Sequence, residues 1–419
     1  MTDPIGDMSF TDDLRSKPSA FKQVCIVGGG NAAHALAALL PSRGIRTVWY
    51  APYGEEAETI NLELAKHHVM SATFAPHNTP SGLVQGRPEI VSANAKDVIP
   101  TSDVLLFLVP SFAYAPILFQ IKDHIQKGTL IAVTPGQGGF DWLAQEILGP
   151  ALSSEIILCA IMPMPFNCRI TEFGHSVAVQ TFKKHYWVGV VPEAKKEYVL
   201  AVTRILFGGD VNFAGHFIHC TLYPINAIIH PQRLYRFCKD WTAGELPFDE
   251  NPLFYESMDD ESVMYMDVVN KELLEVCHGL TTQGMPVNVP HIFDFLRSVY
   301  PEVNASSLVE IFTLNDAYKG FRFPCKKVQF EGEGWIPDFE NRYFTEDIPF
   351  GLCVYKGIAD IVDVPTPMMD EVLVWAQKHM GKEYIVSGKL QGKDVGETTA
   401  PQRFGMYTVA DLMRAASWM

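Results

Sequence analysis

The chain lacks a CxxC pair, although it carries eight cysteines in 419 residues. Cys25 and Cys159 sit inside apolar runs, where reduced, buried thiols of a cytoplasmic protein belong. No zinc-site spacing is present, and no metal is expected. An apolar run of membrane-spanning length is also missing; Val104–Val109 is typical and far too short. Basic residues are in the minority, with 33 Lys and Arg against 48 Asp and Glu for a net charge of −15. That balance disfavours nucleic acid and anionic membrane surfaces as partners. The first twenty residues hold no apolar h-region and read as a loose extension rather than a signal peptide. There is no internal repeat and no low-complexity tract. What remains is a chain with 47% apolar residues, enough for two globular cores.

Within that chain, Val24–His34 reads VCIVGGGNAAH. Four apolar residues run into Gly28-x-Gly30-x-x-Ala33, the pattern of a strand, a glycine turn and a helix. Gly28 permits the tight turn, Gly30 lets a pyrophosphate approach the backbone, and the small Ala33 lets helix and strand pack closely. The helix N-terminus adds free N–H groups and positive partial charge. Gly28, Gly29, Gly30, Asn31, Ala32 and Ala33 are therefore the candidate dinucleotide contacts. A bare β–α turn is the alternative.

The spacing predicts a helix over Ala32–Leu40 and further strands at Ile45–Tyr50, Val104–Val109 and Thr129–Thr134. Strands alternating with helices imply right-handed crossovers and a doubly wound, parallel α/β sheet of Rossmann type. Ligands bind beyond the carboxyl ends of such strands. Here those ends carry the glycine turn, Tyr50, Pro110 and the loop Pro135-Gly136-Gln137-Gly138. Gln137 is a candidate contact to substrate or nicotinamide, or a polar turn residue. A Rossmann strand usually ends in an acid that holds the ribose 2′-OH. The segment Trp49-Tyr50-Ala51-Pro52 has none before Glu55 and Glu56, and no Lys or Arg follows before Lys66. Spacing alone separates NAD from NADP only weakly. From about Ile218 helical patterns take over, so the expected organisation is an extension at residues 1–20, a dinucleotide domain at 21–217 and a mostly helical substrate domain at 218–419. The cleft between the two domains is the expected active site.

Two later segments combine reactive groups. Asn226 and His230 are four apart and share one face if helical, while Pro231 predicts a kink or an end of the helix at His230. The second segment, Pro337–Pro349, packs Arg342 and four carboxylates among aromatics. Arginine clamps carboxylates through two points, and an aspartate commonly orients an imidazole. A satisfied core histidine and a self-paired surface loop are the plainer readings.

Ordered matches across the chain go further. They include Gly28-Gly29-Gly30-Asn31, Cys168-Arg169-Ile170 with Glu172-Phe173-Gly174, His230-Pro231, Pro252-Leu253-Phe254-Tyr255 and Tyr318-Lys319-Gly320. Later come Asn341-Arg342-Tyr343 with Thr345-Glu346-Asp347-Ile348-Pro349, then Trp375-Ala376-Gln377, Gly381-Lys382-Glu383-Tyr384 and Pro401-Gln402-Arg403. In these the chain resembles the opine dehydrogenases almost end to end. The resemblance implies a monomeric enzyme that condenses pyruvate with the amino group of an amino acid and reduces the product with NADH, restoring NAD in anaerobic glycolysis. It implies His230 as acid/base, Asp347 as its orienter, Arg342 as carboxylate holder and Gln137 as a guide for the 2-oxo acid. A hydroxy-acid dehydrogenase of the same build and a non-catalytic dinucleotide binder are the rival readings.

The chain departs from arginine-using members at the amine pocket. Where a Glu-Thr pair is implied it has Met162 and Pro163, and Pro224 and Asn226 replace a Met and a Tyr. A pocket without that carboxylate loses the partner of a guanidinium. With Met162, Pro163 and Asn226 as amine contacts, the expected substrate is alanine, glycine, β-alanine or taurine rather than arginine.

Overall fold

The structure is a computed structural model; it describes residues 21–136, 138–223, 225–242, 248–329 and 333–417. The expected extension at residues 1–20, Gln137 and Pro224 lie outside the described residues. The chain opens with β1 (Val24–Val27), α1 (Asn31–Ser42), β2 (Thr47–Tyr50) and α2 (Glu56–His67), then β3 (Met70–Phe74), β4 (Gly82–Gly86) and β5 (Ile90–Ser92). It continues through β6 (Val104–Phe107), β7 (Leu130–Val133), β8 (Ile157–Met162), β9 (Phe166–Glu172), β10 (Ser176–Phe182), β11 (His185–Val191) and β12 (Asp210–Gly215).

Eight of these strands form one sheet in the order β12-β11-β8-β7-β6-β1-β2-β5. The six strands from β8 to β5 are parallel, as the alternation of strands and helices predicts. β11 runs antiparallel to β8. The reason is the β9–β10 hairpin inserted between them, which returns the chain beside β8 without a crossover helix. β1, β2, β6 and β7 are buried along their whole length, so they read as continuous apolar runs instead of alternating ones. Alternate residues still face opposite layers. Cys25, Val27, Leu105, Phe107, Ile131 and Val133 join a core continuous with the helical half of the chain. Val24, Ile26, Leu106 and Ala132 belong to a second core, on the opposite face, that includes α1.

A second sheet, β4-β3-β10-β9, covers the other side of α1. Helix α1 is thus enclosed by two sheets, which explains why every residue from Ala32 to Leu40 is buried. A Cβ at Gly86 of β4 would overlap the Ala38 carbonyl. That close approach needs a glycine.

The helical half packs the helices Asn226–Cys238, Asp260–Thr282, Cys353–Val362 and Pro367–Met380 around one another. Helix Asn226–Cys238 corrects one expectation, because it does not end at His230 but runs through Pro231. Proline removes one backbone N–H and crowds the carbonyl four residues back. With its amide nitrogen facing inward, Gln232 donates to Ala227 O (3.2 Å) and Ile228 O (2.6 Å), and this supplies a donor where the backbone has lost one. Among the described residues no helix is long and apolar enough to cross a membrane.

Candidate active site

The carboxyl end of β1 enters the turn at Gly28, whose φ of +109° favours glycine. A Cβ there would overlap Val109 Cγ1, and the Gly28 carbonyl accepts from Trp49 Nε1 at 2.7 Å. Gly30 caps α1 with no side-chain hydrogen bond to the helix, so its first N–H groups stay free for an anion. The turn is held from behind. Buried His34 lies 3.0 Å from the Gly30 carbonyl through Nδ1, and its Nε2 accepts from Gly174 N at 2.9 Å. Burial lowers its pKa to about 4, which keeps the ring neutral, with the proton on Nδ1. Asn31 Oδ1 accepts from Ile170 N at 2.8 Å.

Between this turn and the helical half lies a cavity of about 320 Å³. Gly30, Asn31, Ala32 and Pro110 line it from the sheet side, and His230, Asn226 and Arg342 from the helical side. Pro163 lines it too. His230 is 4% exposed, and its Nδ1 lies 2.7 Å from Asp347 Oδ2. Its Nε2 lies 2.8 Å from the Tyr255 hydroxyl. Burial raises the Tyr255 pKa well above the usual phenol range, so this hydroxyl stays protonated, and with Asp347 accepting from Nδ1–H it donates to Nε2 of the neutral ring. The proton of a neutral His230 then sits on Nδ1, facing Asp347. The Tyr343 ring stacks on the imidazole at 3.9 Å between centroids. Together these contacts fix the ring's plane and its tautomer.

Arg342 starts the short helix Arg342–Thr345, whose N-terminus is capped by the Asn341 side chain. It is exposed and forms no ion pair among the described residues, so its fork is available to a ligand. The loop self-pairing considered from the sequence is absent at this residue. One turn later, Glu346 reaches across to the sheet side and accepts from Ser111 N at 3.1 Å. Burial and, secondarily, the adjacent Asp347 charge raise its pKa to about 7.

Two expected contacts are corrected. Tyr50 is buried, and its hydroxyl donates to Gln120 Oε1 at 2.7 Å, so its side chain faces core instead of cofactor. Met162 is the last residue of β8, wholly buried, and belongs to the core between sheet and helices. Both sit on strands whose alternation turns them inward.

Residues 213–380 match the family model described as NAD/NADP octopine/nopaline dehydrogenase, alpha-helical domain. The chain is 33% identical over 401 residues to tauropine dehydrogenase of Arabella iricolor, spanning 93% of this chain and 99% of that relative. The chain belongs to the opine dehydrogenase family. A solved octopine dehydrogenase with NADH and L-arginine superposes with a TM-score of 0.81 at 30% identity, over 95% of this chain and 98% of that one. An octopine dehydrogenase structure with NADH and pyruvate gives 0.79 at 29% identity, over 93% and 97%.

This opine dehydrogenase is an NAD-dependent oxidoreductase with a Rossmann-type sheet and a helical second part. An acid stands beside the turn on α2 instead of at the end of β2. Glu56 is the first residue of that helix, and its carboxylate packs against Gly29, where a Cβ would overlap it. Its Oε2 is buried without a hydrogen-bond partner, and burial raises its pKa. An unpaired acceptor beside the glycine turn fits the ribose hydroxyls of NAD and repels a 2′-phosphate. Sequence reasoning noted Glu56 but could not place it, because its reach depends on how α2 packs. Tyr255, Tyr343, Glu346, Arg169 and Lys183 were likewise not given roles. Tyr255 stood inside a matched word, which was its only signal. His67, Glu172 and His175 form one grouping with metal-ligand chemistry among the described residues. His67 closes α2 at the opposite end from Glu56, and none of the three lines the cavity.

Proposed function

We propose that the chain reductively condenses pyruvate with the amino group of glycine, alanine, β-alanine or taurine, oxidising NADH. The observation that carries this reading is His230, held by Asp347 on one nitrogen and Tyr255 on the other, in a cavity with walls from both halves of the molecule. Pyruvate and the amine first lose water to form an imine. NADH, when bound, supplies the hydride that reduces the imine carbon. The sum is pyruvate, amine, NADH and a proton giving a secondary amine, water and NAD.

Neutral His230 takes a proton from the substrate ammonium, which frees the amine to attack the pyruvate carbonyl. As imidazolium, paired with Asp347, it returns that proton to the departing hydroxyl. Arg342 holds the pyruvate carboxylate in two-point fashion, and Asn226 and Pro163 border the amine. Holding two small reactants on one floor replaces a bimolecular encounter with a positioned one. We place Gln137, in the loop after β7, near the 2-oxo acid. We set the boundary between dinucleotide and substrate domains at 217/218, where strands give way to helices. A monomer suffices, since one chain supplies His230, Asp347 and Arg342. A cytoplasmic setting suits eight free cysteines, seven of them buried. The NAD so regenerated supports glycolysis without oxygen.

The test is NADH oxidation with pyruvate across an amine panel that includes arginine. The four small amines should outrun arginine. Faster turnover of arginine would refute the substrate choice, and equal NADH oxidation with pyruvate alone would favour a hydroxy-acid dehydrogenase.

A further inference from the structure

Lys183 is a buried cation facing the same cavity as His230 and Arg342. It follows β10 directly and is 7% exposed. Its backbone N–H donates to Pro165 O at 2.9 Å. Its Nζ donates to Met164 O at 2.8 Å and to Asn167 Oδ1 at 3.1 Å, and it lies 5.7 Å from the centre of the Tyr300 ring. Both acceptors are neutral. Among the described residues no carboxylate pairs with it. An ammonium has three donors, so one N–H has no protein acceptor.

An unneutralised buried charge is expensive to keep, and an incoming anion relieves that cost. The groups its ammonium meets, on Met164, Asn167 and Tyr300, are none of them acidic, and the one carboxylate that lines the cavity, Glu346, is bound to Ser111. Arg169 of β9, which also lines the cavity, is positive as well. This arm of the cavity therefore repels a guanidinium or a second ammonium and attracts an anion.

We propose that Lys183 is the receptor for the anionic group of the amine substrate, a carboxylate or sulfonate that accepts its remaining N–H. Arg342 then serves the 2-oxo acid, so the two cations receive the two acidic ends of the product. This assignment rests on the opine-forming reading given above. It adds a discrimination separate from the missing acid near Met162, because an amine without an anionic group, such as agmatine, leaves Lys183 unneutralised.

The experiment compares each amine with an uncharged counterpart: taurine with 2-aminoethyl methyl sulfone, and alanine with alaninamide. The wild-type enzyme should prefer the anionic member by about 10- to 100-fold in kcat/KM, the range of a charge-assisted hydrogen bond. Lys183→Met and Lys183→Gln should abolish most of that preference through the amine KM, leave pyruvate KM and NADH affinity unchanged, and raise the relative turnover of agmatine. In the wild-type enzyme, methanesulfonate should compete with the amine and not with pyruvate. This arm needs no variant to fold. Turnover without anion preference, competition with pyruvate, or variants that shift only pyruvate or NADH would overturn the assignment of Lys183. No turnover with any amine would instead refute the opine-forming reading itself.

Discussion

At the scale of single residues, chemistry converges on His230. An imidazole with Asp347 at 2.7 Å on one side and Tyr255 at 2.8 Å on the other has little rotational freedom. Replacing His230 by Ala should lower turnover by roughly 100- to 10,000-fold, the usual worth of a positioned acid/base. NADH affinity should stay near wild type, since this ring faces the substrate side. Stopped-flow measurement of both quantities checks this, and retained turnover would remove His230 from the reaction. Glu56→Ala should weaken NADH binding by about tenfold and narrow the preference over NADPH, as expected for one lost charge-assisted contact. Equal losses for both cofactors would show that Glu56 supports the turn without reading the ribose. The family resemblance made the expected roles of His230, Arg342 and Asp347 legible, whereas residue types alone left a satisfied core histidine and a self-paired loop open. Glu56 and Lys183 were not legible, because each depends on what packs opposite it. Met162 shows the converse, since its place in the sequence suggested a pocket while its strand register turns it into core.

At the scale of elements, the most legible piece was β1, its glycine turn and α1, where local sequence and tertiary role agree. The least legible was helix Asn226–Cys238. Proline rules argue for a kink or an end at His230, and they describe backbone geometry without knowing that Gln232 can stand in as donor. Gln232→Leu should cost about 1–3 kcal/mol by leaving carbonyls unpaired, read as a lower denaturant midpoint in chemical unfolding. An unchanged midpoint would mean that water or relaxation satisfies those carbonyls. The β4-β3-β10-β9 sheet also escaped prediction. Its strands are partly exposed and come from distant parts of the chain, so no single window announces it. Yet it supplies the backbone N–H groups of Ile170 and Gly174 that hold Asn31 and His34.

At the scale of the whole molecule, Glu346 links the halves through Ser111. Its folded pKa is raised to about 7 from an ordinary 4.5. The folded protein therefore holds a proton that the unfolded chain releases over that interval. The stability this contributes is complete below pH 4.5 and is lost as pH rises through 7, at up to about 1.4 kcal/mol per pH unit. Glu346→Gln should flatten the fall in melting temperature between pH 5 and 7.5, relative to wild type. Parallel curves for the two proteins would show that Glu346 is not the titrating group. The order of strands and helices predicts a sheet half and a helical half; the link between Ser111 and Glu346 depends on packing that this order does not specify.

The central claim is that this cavity joins a 2-oxo acid to an amine. The most direct measurement is mass spectrometry of the product formed from pyruvate, NADH and isotopically labelled alanine or taurine. The account predicts a labelled secondary amine whose mass is the sum of the two reactants, less one oxygen atom. Lactate as the product, with the labelled amine unchanged, would contradict it.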